Sequence, residues 1–335
     1  MSSQITTSRR DFLKAAAVVA GAAGLSKFAR PGLALAEQAA GSYSIATNPF
    51  AAGARVQAIV AEVRSGGGDQ RAQTQRLFER LRAGAATGIE RETAGLSSDT
   101  RAPRTAEGTL GAGTGGHAGS GDCTEMATVA ISCLQSLGIG GGARIVHFQS
   151  APATTEHMVA FATIGGSEVT IDLQAATLGQ HVGTVDRTIQ TMTFDQATGM
   201  YHREYGNYLR NTGNTDGAIS AFEEAIRRND GDAYSHHKLA VCLEHRNQGN
   251  DRARAAGEHL RALELDPSNQ LYLRNAAPAA YNSGFDAHEA GRADESGQRF
   301  QQCVDISTRL IAGEGGPSGV EIGRRFQAEC RALGE

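Results

Sequence analysis

Two adjacent glycines, Gly165-Gly166, divide a pair of alternating segments, and they fix more about the first half of this 335-residue chain than any other feature. His157 to Ile164 is predicted as one strand and Ser167 to Leu173 as its returning partner, the latter rich in the β-branched residues Val169, Thr170 and Ile171. A two-residue turn sets Ile164 opposite Ser167, Val159 opposite Asp172 and His157 opposite Gln174. His157 and Asp172 then share one face as diagonal neighbours, roughly 7–8 Å apart at the backbone. A three-residue loop would reverse the parity and send Asp172 through the other side of the sheet.

The stretch Gly121-Asp122-Cys123-Thr124-Glu125-Met126-Ala127 reads as a glycine-rich approach to a helix. From Cys123, the residues Met126, Ala127, Ala130, Cys133, Leu134 and Leu137 recur at three- and four-residue steps and make one apolar face. Asp122 is placed to cap the start and Gly138 to stop the end. A cysteine in the first turn meets unpaired amides and the positive end of the helix dipole, which favour thiolate and could also hold an oxyanion. Such a nucleophile needs a base, and the base needs a group to hold its ring. The hairpin supplies His157 and Asp172 for those two tasks.

These segments resemble the bacterial transglutaminase-like superfamily. The likeness runs through Arg104-Thr105-Ala106-Glu107-x-Thr109, Gly121 to Ala127, Leu134-x-x-Leu137-Gly138-Ile139, Ala143-Arg144-Ile145-Val146, His157 and Thr170-Ile171-Asp172. It implies an α+β papain-like domain over about 54–190, in which the helix carrying the cysteine packs on an antiparallel sheet. By the same resemblance Cys123 is the nucleophile, His157 the general base and acid, and Asp172 the residue that orients the imidazole. Peptide or amide hydrolysis is the implied reaction, ahead of cross-linking, with a peptide or protein as substrate and no cofactor. The competing expectation is a scaffold that keeps this fold, has no catalysis, and binds protein or peptide partners in the cell envelope.

The amino terminus, Ser8-Arg9-Arg10-Asp11-Phe12-Leu13-Lys14, reads as a twin-arginine export signal, followed by an apolar run and the small-residue site Ala34-Leu35-Ala36. The run Ala15 to Leu25 has 11 residues, too few for the ~20 of a spanning helix, so no stable membrane anchor is expected. Cleavage is expected after residue 36, leaving a periplasmic or secreted protein. Residues 1–36 hold Arg9, Arg10, Lys14, Lys27 and Arg30 against Asp11 alone, so their removal takes the formal charge from −4 to −8. No basic patch remains to recruit nucleic acid. His147, His157, His236 and His237 sit in no metal-binding frame, and no glycine run has the order of a phosphate cradle. Of the five cysteines, Cys133 and Cys242 are expected in the core, and the odd count permits one free thiol and two bridges.

Residues 37–53 read as a mobile linker, and helices are predicted over Val56 to Arg64 and Gln70 to Arg82. Gly84 to Gly121, poor in apolar residues, is expected to be an irregular loop, with His117 exposed in it. From Thr198 the pattern changes. Gly206, Leu209, Gly213-Asn214, Ala218, Phe222 and Ala225, then Leu239, Ala240, Leu243, Ala255 and Ala262, resemble the ~34-residue tetratricopeptide alternation of small and large residues on paired helices. A third, degenerate copy holds Gly291-Arg292, Ser296, Phe300 and Cys303, with Pro278 expected to interrupt its first helix. The all-α repeat domain is thus read over 198–312, with a flexible break at Gly313 to Gly319 and a capping helix over 320–333. Its concave surface could hold a protein partner, or the array could pack on the first domain. His236-His237 is expected to be a solvated pair.

Overall fold

The computed structural model describes residues 44, 46–83, 85, 88–91, 102–112, 119–148 and 155–334. The export signal over 1–36 and His117 lie outside the described residues.

Two short helices come first, α1 (Ala54–Ser65) and α2 (Gln70–Leu81). Each buries one stripe: Val56, Ile59, Val60 and Val63 from α1, and Leu77, Phe78 and Leu81 from α2. The segment expected to be irregular contains a strand β1 (Ile89–Arg91), a helix α3 (Ala106–Gly111) and a strand β2 (Gly119–Gly121) that pairs parallel with β1. Thr105 caps α3 by accepting from the Gly108 amide at 3.2 Å, while Ala106 and Leu110 pack into the core. The described part of the expected mobile linker is anchored as well. Phe50 is buried, its carbonyl accepts from Ser132 Oγ at 2.8 Å, and the Ala106 amide bonds to Pro49 O at 2.9 Å.

Cys123–Leu137 forms the central helix, α4, and every residue from Glu125 to Leu134 is buried. A helix apolar on more than one face must be covered on more than one side. Here α1, α2 and α3 lie against it on one side and a four-stranded antiparallel sheet covers the other. The sheet contains β3 (Gly140–Phe148), β4 (Thr155–Ile164), β5 (Ser167–Ile171) and β6 (Val185–Thr193) in the order β5-β4-β3-β6. Ala143, Ile145, Met158, Ala160, Ala162, Ile171 and Met192 join α4 in one core. The glycines that open β3 are dictated by space, since a Cβ at Gly141 or Gly142 would stand 2.0 Å from the Phe161 or Met192 carbonyl oxygen.

β6 passes directly into α5 (Phe194–Asn211), where Thr193 and Gln196 form a reciprocal cap. Six more helices follow: α6 (Thr215–Arg228), α7 (Ala233–Arg246), α8 (Asp251–Leu265), α9 (Gln270–Glu289), α10 (Ala293–Ile311) and α11 (Gly316–Gly334). Each packs on the next, and the hairpins resemble tetratricopeptide-like repeats in their small-to-large seams. Gly206 of α5 lies under Phe222 of α6, and Gly284 of α9 lies under Phe300 of α10. An added Cβ would meet those rings at 2.9 and 2.8 Å. Gly206→Val is therefore expected to cost about 1–3 kcal/mol through overpacking, read as a lower midpoint in thermal denaturation, whereas Gly257→Ala, whose added Cβ would meet nothing within 4 Å, should not lower the midpoint.

Three sequence expectations change in this region. Helix α9 continues through Pro278, because buried Ala276, Ala277, Ala279 and Ala280 hold both flanks and outweigh the ~3 kcal/mol cost of an interior proline. His236 and His237 are 3% and 4% exposed, not solvated. His236 bonds Glu258 Oε2 at 2.6 Å and the Asp230 carbonyl at 3.0 Å, while the His237 ring packs 5.1 Å from Tyr272 and 5.3 Å from His259. The expected flexible break over Gly313 to Gly319 already contains the first turn of α11. Cys303 and Cys330 form a disulfide that ties α11 to α10. Cys133 and Cys242 are buried free thiols, pushed up to about 12 and about 11 by desolvation, as suits core residues.

Candidate active site

Cys123 is the first residue of α4, and the turn beneath it is held from several directions. Asp122 Oδ1 accepts from the Glu125 amide at 2.9 Å, and Glu125 Oε2 accepts from the Asp122 amide at 3.3 Å. The Met126 amide bonds the Asp122 carbonyl, so the amides of Cys123 and Thr124 precede the first helical bond. They are the donors a negatively charged oxygen at this helix end would meet. The upstream Arg104-Thr105-Ala106-Glu107 segment explains itself here. The Arg104 amide donates to Glu125 Oε1 at 3.0 Å, its Nη1 donates to the Ser120 carbonyl at 2.8 Å, and Glu107 Oε1 accepts from the Val56 amide at 2.8 Å. That one segment thus ties the start of α1, strand β2 and the cysteine turn together.

The hairpin has the two-residue turn. Gly165 and Gly166 adopt φ of 58° and 80°, values that suit glycine, and Ile164 pairs with Ser167. The last ladder pair is Ala160 with Ile171, which carries Asp172 to the place opposite Val159, on the same face as His157. His157 Nε2 lies 3.0 Å from Asp172 Oδ1, and both side chains are buried, at 6% and 2% residue exposure. The Cys123 sulfur shares the pocket with the His157 ring and is among the groups that raise its proton affinity. Since Nε2 faces Asp172, Nδ1 is the nitrogen left for sulfur. Cys123, Met126 and Ala127 from the helix and His157, Asp172 and Leu173 from the hairpin line one cavity, about 170 Å³ including its open mouth.

Burial disfavours a charged ring at His157, but the hydrogen bond to Asp172 and the charge of that carboxylate, with Cys123 nearby, outweigh it and raise the pKa to about 9. Burial pushes the Asp172 carboxyl the other way, and there the His157 bond and charge, with two backbone donors, hold it below the usual range. Those donors are the Gln174 amide to Oδ1 at 3.0 Å and the Val182 amide to Oδ2 at 2.9 Å. Two further groups at the site were invisible in the sequence pattern. Phe148 places its ring 5.3 Å from His157 and 6.4 Å from His181, and His181 Nδ1 lies 3.9 Å from Asp172 Oδ2. Only Gln174 carried a signal, since an aspartate commonly accepts from the amide two residues on.

Among known families, the signal sequence of the twin-arginine translocation pathway matches residues 6–26. This is an exported protein. Its mature part belongs in the periplasm or outside the cell, and no helix among the described residues is long and apolar enough to cross a membrane. No curated protein matches the chain. Among solved structures, a crystal structure of MamA is similar at 13% identity, covering 40% of this chain and 77% of that one with a TM-score of 0.25. A second MamA crystal structure is similar at 15% identity over 42% and 75%, again with a TM-score of 0.25. Likeness of that size is too slight to assign a fold.

Proposed function

We propose that the exported protein is a thiol-dependent acyl-transfer enzyme, a transglutaminase-like peptide or amide hydrolase with Cys123, His157 and Asp172 as its triad. One observation carries the reading: His157 Nε2 lies 3.0 Å from the Asp172 carboxylate, and Cys123, at the start of its helix, lines the same pocket as both. In this reading the Cys123 sulfur attacks the amide carbonyl carbon, and the Cys123 and Thr124 amides receive the oxyanion. As the carbon–nitrogen bond breaks, His157 gives its proton to the leaving amine and a thioester remains on Cys123. Water then attacks that carbonyl, His157 takes its proton, and the carbon–sulfur bond breaks to release the acid. Asp172 fixes the ring throughout and balances the charge it carries.

The test is chemical labelling. Iodoacetamide is expected to alkylate Cys123 ahead of the buried Cys133 and Cys242, and His157→Ala is expected to slow that alkylation at neutral pH by about tenfold or more, within the range of general-base contributions. Equal rates in wild type and variant would defeat the enzyme reading.

The helical stack favours a second reading, a scaffold that binds a protein or peptide partner. Stacked hairpins present an extended surface, and Leu271 of α9 is a large apolar side chain left 43% exposed. Peptide capture by the mature protein that survives Cys123→Ser and His157→Ala together, with no labelling preference in the wild type, would be its signature.

A further inference from the structure

We propose that His181 is a positioning residue of the thiol site, acting on His157 through the far oxygen of Asp172. The inference rests on the triad reading above. The Asp172 carboxylate sits between two histidines: Oδ1 faces His157 Nε2 at 3.0 Å and Oδ2 faces His181 Nδ1 at 3.9 Å. The residue after His181 supplies the bond to that same oxygen, since the Val182 amide donates to Oδ2 at 2.9 Å. The closure of the 172–182 loop on Asp172 therefore also fixes where the His181 ring stands. Phe148 packs edge-on against His181 and tilted against His157, so one aromatic wall holds both rings.

His181 Nδ1 is buried and makes no hydrogen bond. A buried ring nitrogen left unmatched is costly, and Asp172 Oδ2 is the acceptor it faces, so a closure of about 1 Å turns the contact into a hydrogen bond of ordinary length. In either position the ring keeps water from Oδ2. Water there would bond the carboxylate, turn it and dilute its charge as His157 feels it. The charged and titratable groups acting on His181 are Asp172 beside β5, His157 on β4 and Arg144 on β3. Burial, first, and the charges of His157 and Arg144 disfavour a proton on His181, while Asp172 attracts one. His181 is thus the neutral ring of the pair and His157 the charged one at neutral pH.

The experiment is the rate of Cys123 alkylation by iodoacetamide between about pH 5 and 10 in the mature protein, with a thermal melt of each variant. His181→Ala is expected to move the alkaline inflection that reports His157 downward by about one pH unit, a tenfold loss of proton affinity. His181→Gln, whose amide can donate to Oδ2, is expected to restore it. His181→Phe, which keeps a ring beside Phe148 and removes both nitrogens, reads the same quantity if the alanine variant melts early. A profile in the alanine or phenylalanine variant that superimposes on the wild type overturns the inference, as does a shift that glutamine fails to rescue. If His157→Ala slows alkylation but His181 variants do not, this inference alone fails. If His157→Ala changes nothing, the triad reading fails first.

Discussion

Asp172→Ala is expected to lower stability by about 3–5 kcal/mol, the cost of removing one partner from a buried ion pair, and to do so in a strongly pH-dependent way. The carboxylate is 2% exposed, so water cannot replace it freely, and its loss strands the His157 ring and the Gln174 and Val182 amides. The sign of the pH dependence follows from the two shifts. His157 has its pKa raised from 6.5 to about 9, so its contribution is complete below about pH 6.5 and disappears as pH rises through about 9. A shift of that size corresponds to about 3 kcal/mol at 1.36 kcal/mol per unit. Asp172 has its pKa lowered, so its contribution is complete above the ordinary carboxyl range near 4 and is lost only as pH falls through its own lower value. The gap between wild type and Asp172→Asn, measured by urea denaturation, should therefore be widest between about pH 5 and 6.5 and narrow steadily toward pH 10. A gap of equal width at pH 6 and pH 10 would show that the pair carries no such coupling.

The part of the site that the sequence made legible is the part set by local rules. Gly165-Gly166 admits positive φ at both turn positions, and with the turn length fixed, period-two alternation puts His157 and Asp172 on one face without further information. Asp122 and Gly138 bounded α4 for equally local reasons, one as a side-chain acceptor and one as a left-handed stop. What stayed hidden depends on partners far along the chain. Helix α3 is only six residues long, and Glu107 within it is placed by bonding the Arg55 and Val56 amides about fifty residues earlier. His181 reaches Asp172 because a loop closes through the Val182 amide, and nothing in its own neighbourhood announces that. His236-His237 looked polar in isolation, yet Glu258 and Tyr272 come from two other helices and turn the same two rings into packed interior.

Glu125→Ala is expected to have the other large effect, and it separates the building of the turn from the chemistry. Glu125 is 2% exposed on α4, and its two oxygens serve donors from both sides: the Asp122 amide on Oε2 and the Arg104 amide on Oε1, with Arg104 Nη1 3.7 Å from Oε2. Removing the carboxylate leaves the cap amide and the Arg104 amide to find other acceptors in a packed interior, and it opens a void beneath the cysteine turn. Each lost partner is worth about 1–3 kcal/mol, so a total loss of about 2–6 kcal/mol is expected in thermal or urea denaturation. Glu125→Gln keeps an oxygen acceptor and the shape but loses the charge, and it should recover more than half of that loss. Because Cys123 is the first residue of the turn these bonds hold, both variants should also slow alkylation of Cys123, the alanine more than the glutamine, with the alkaline inflection set by His157 left in place. An alanine variant that melts with the wild type would mean that Asp122 alone holds this helix end, and that the Arg104 segment merely passes by.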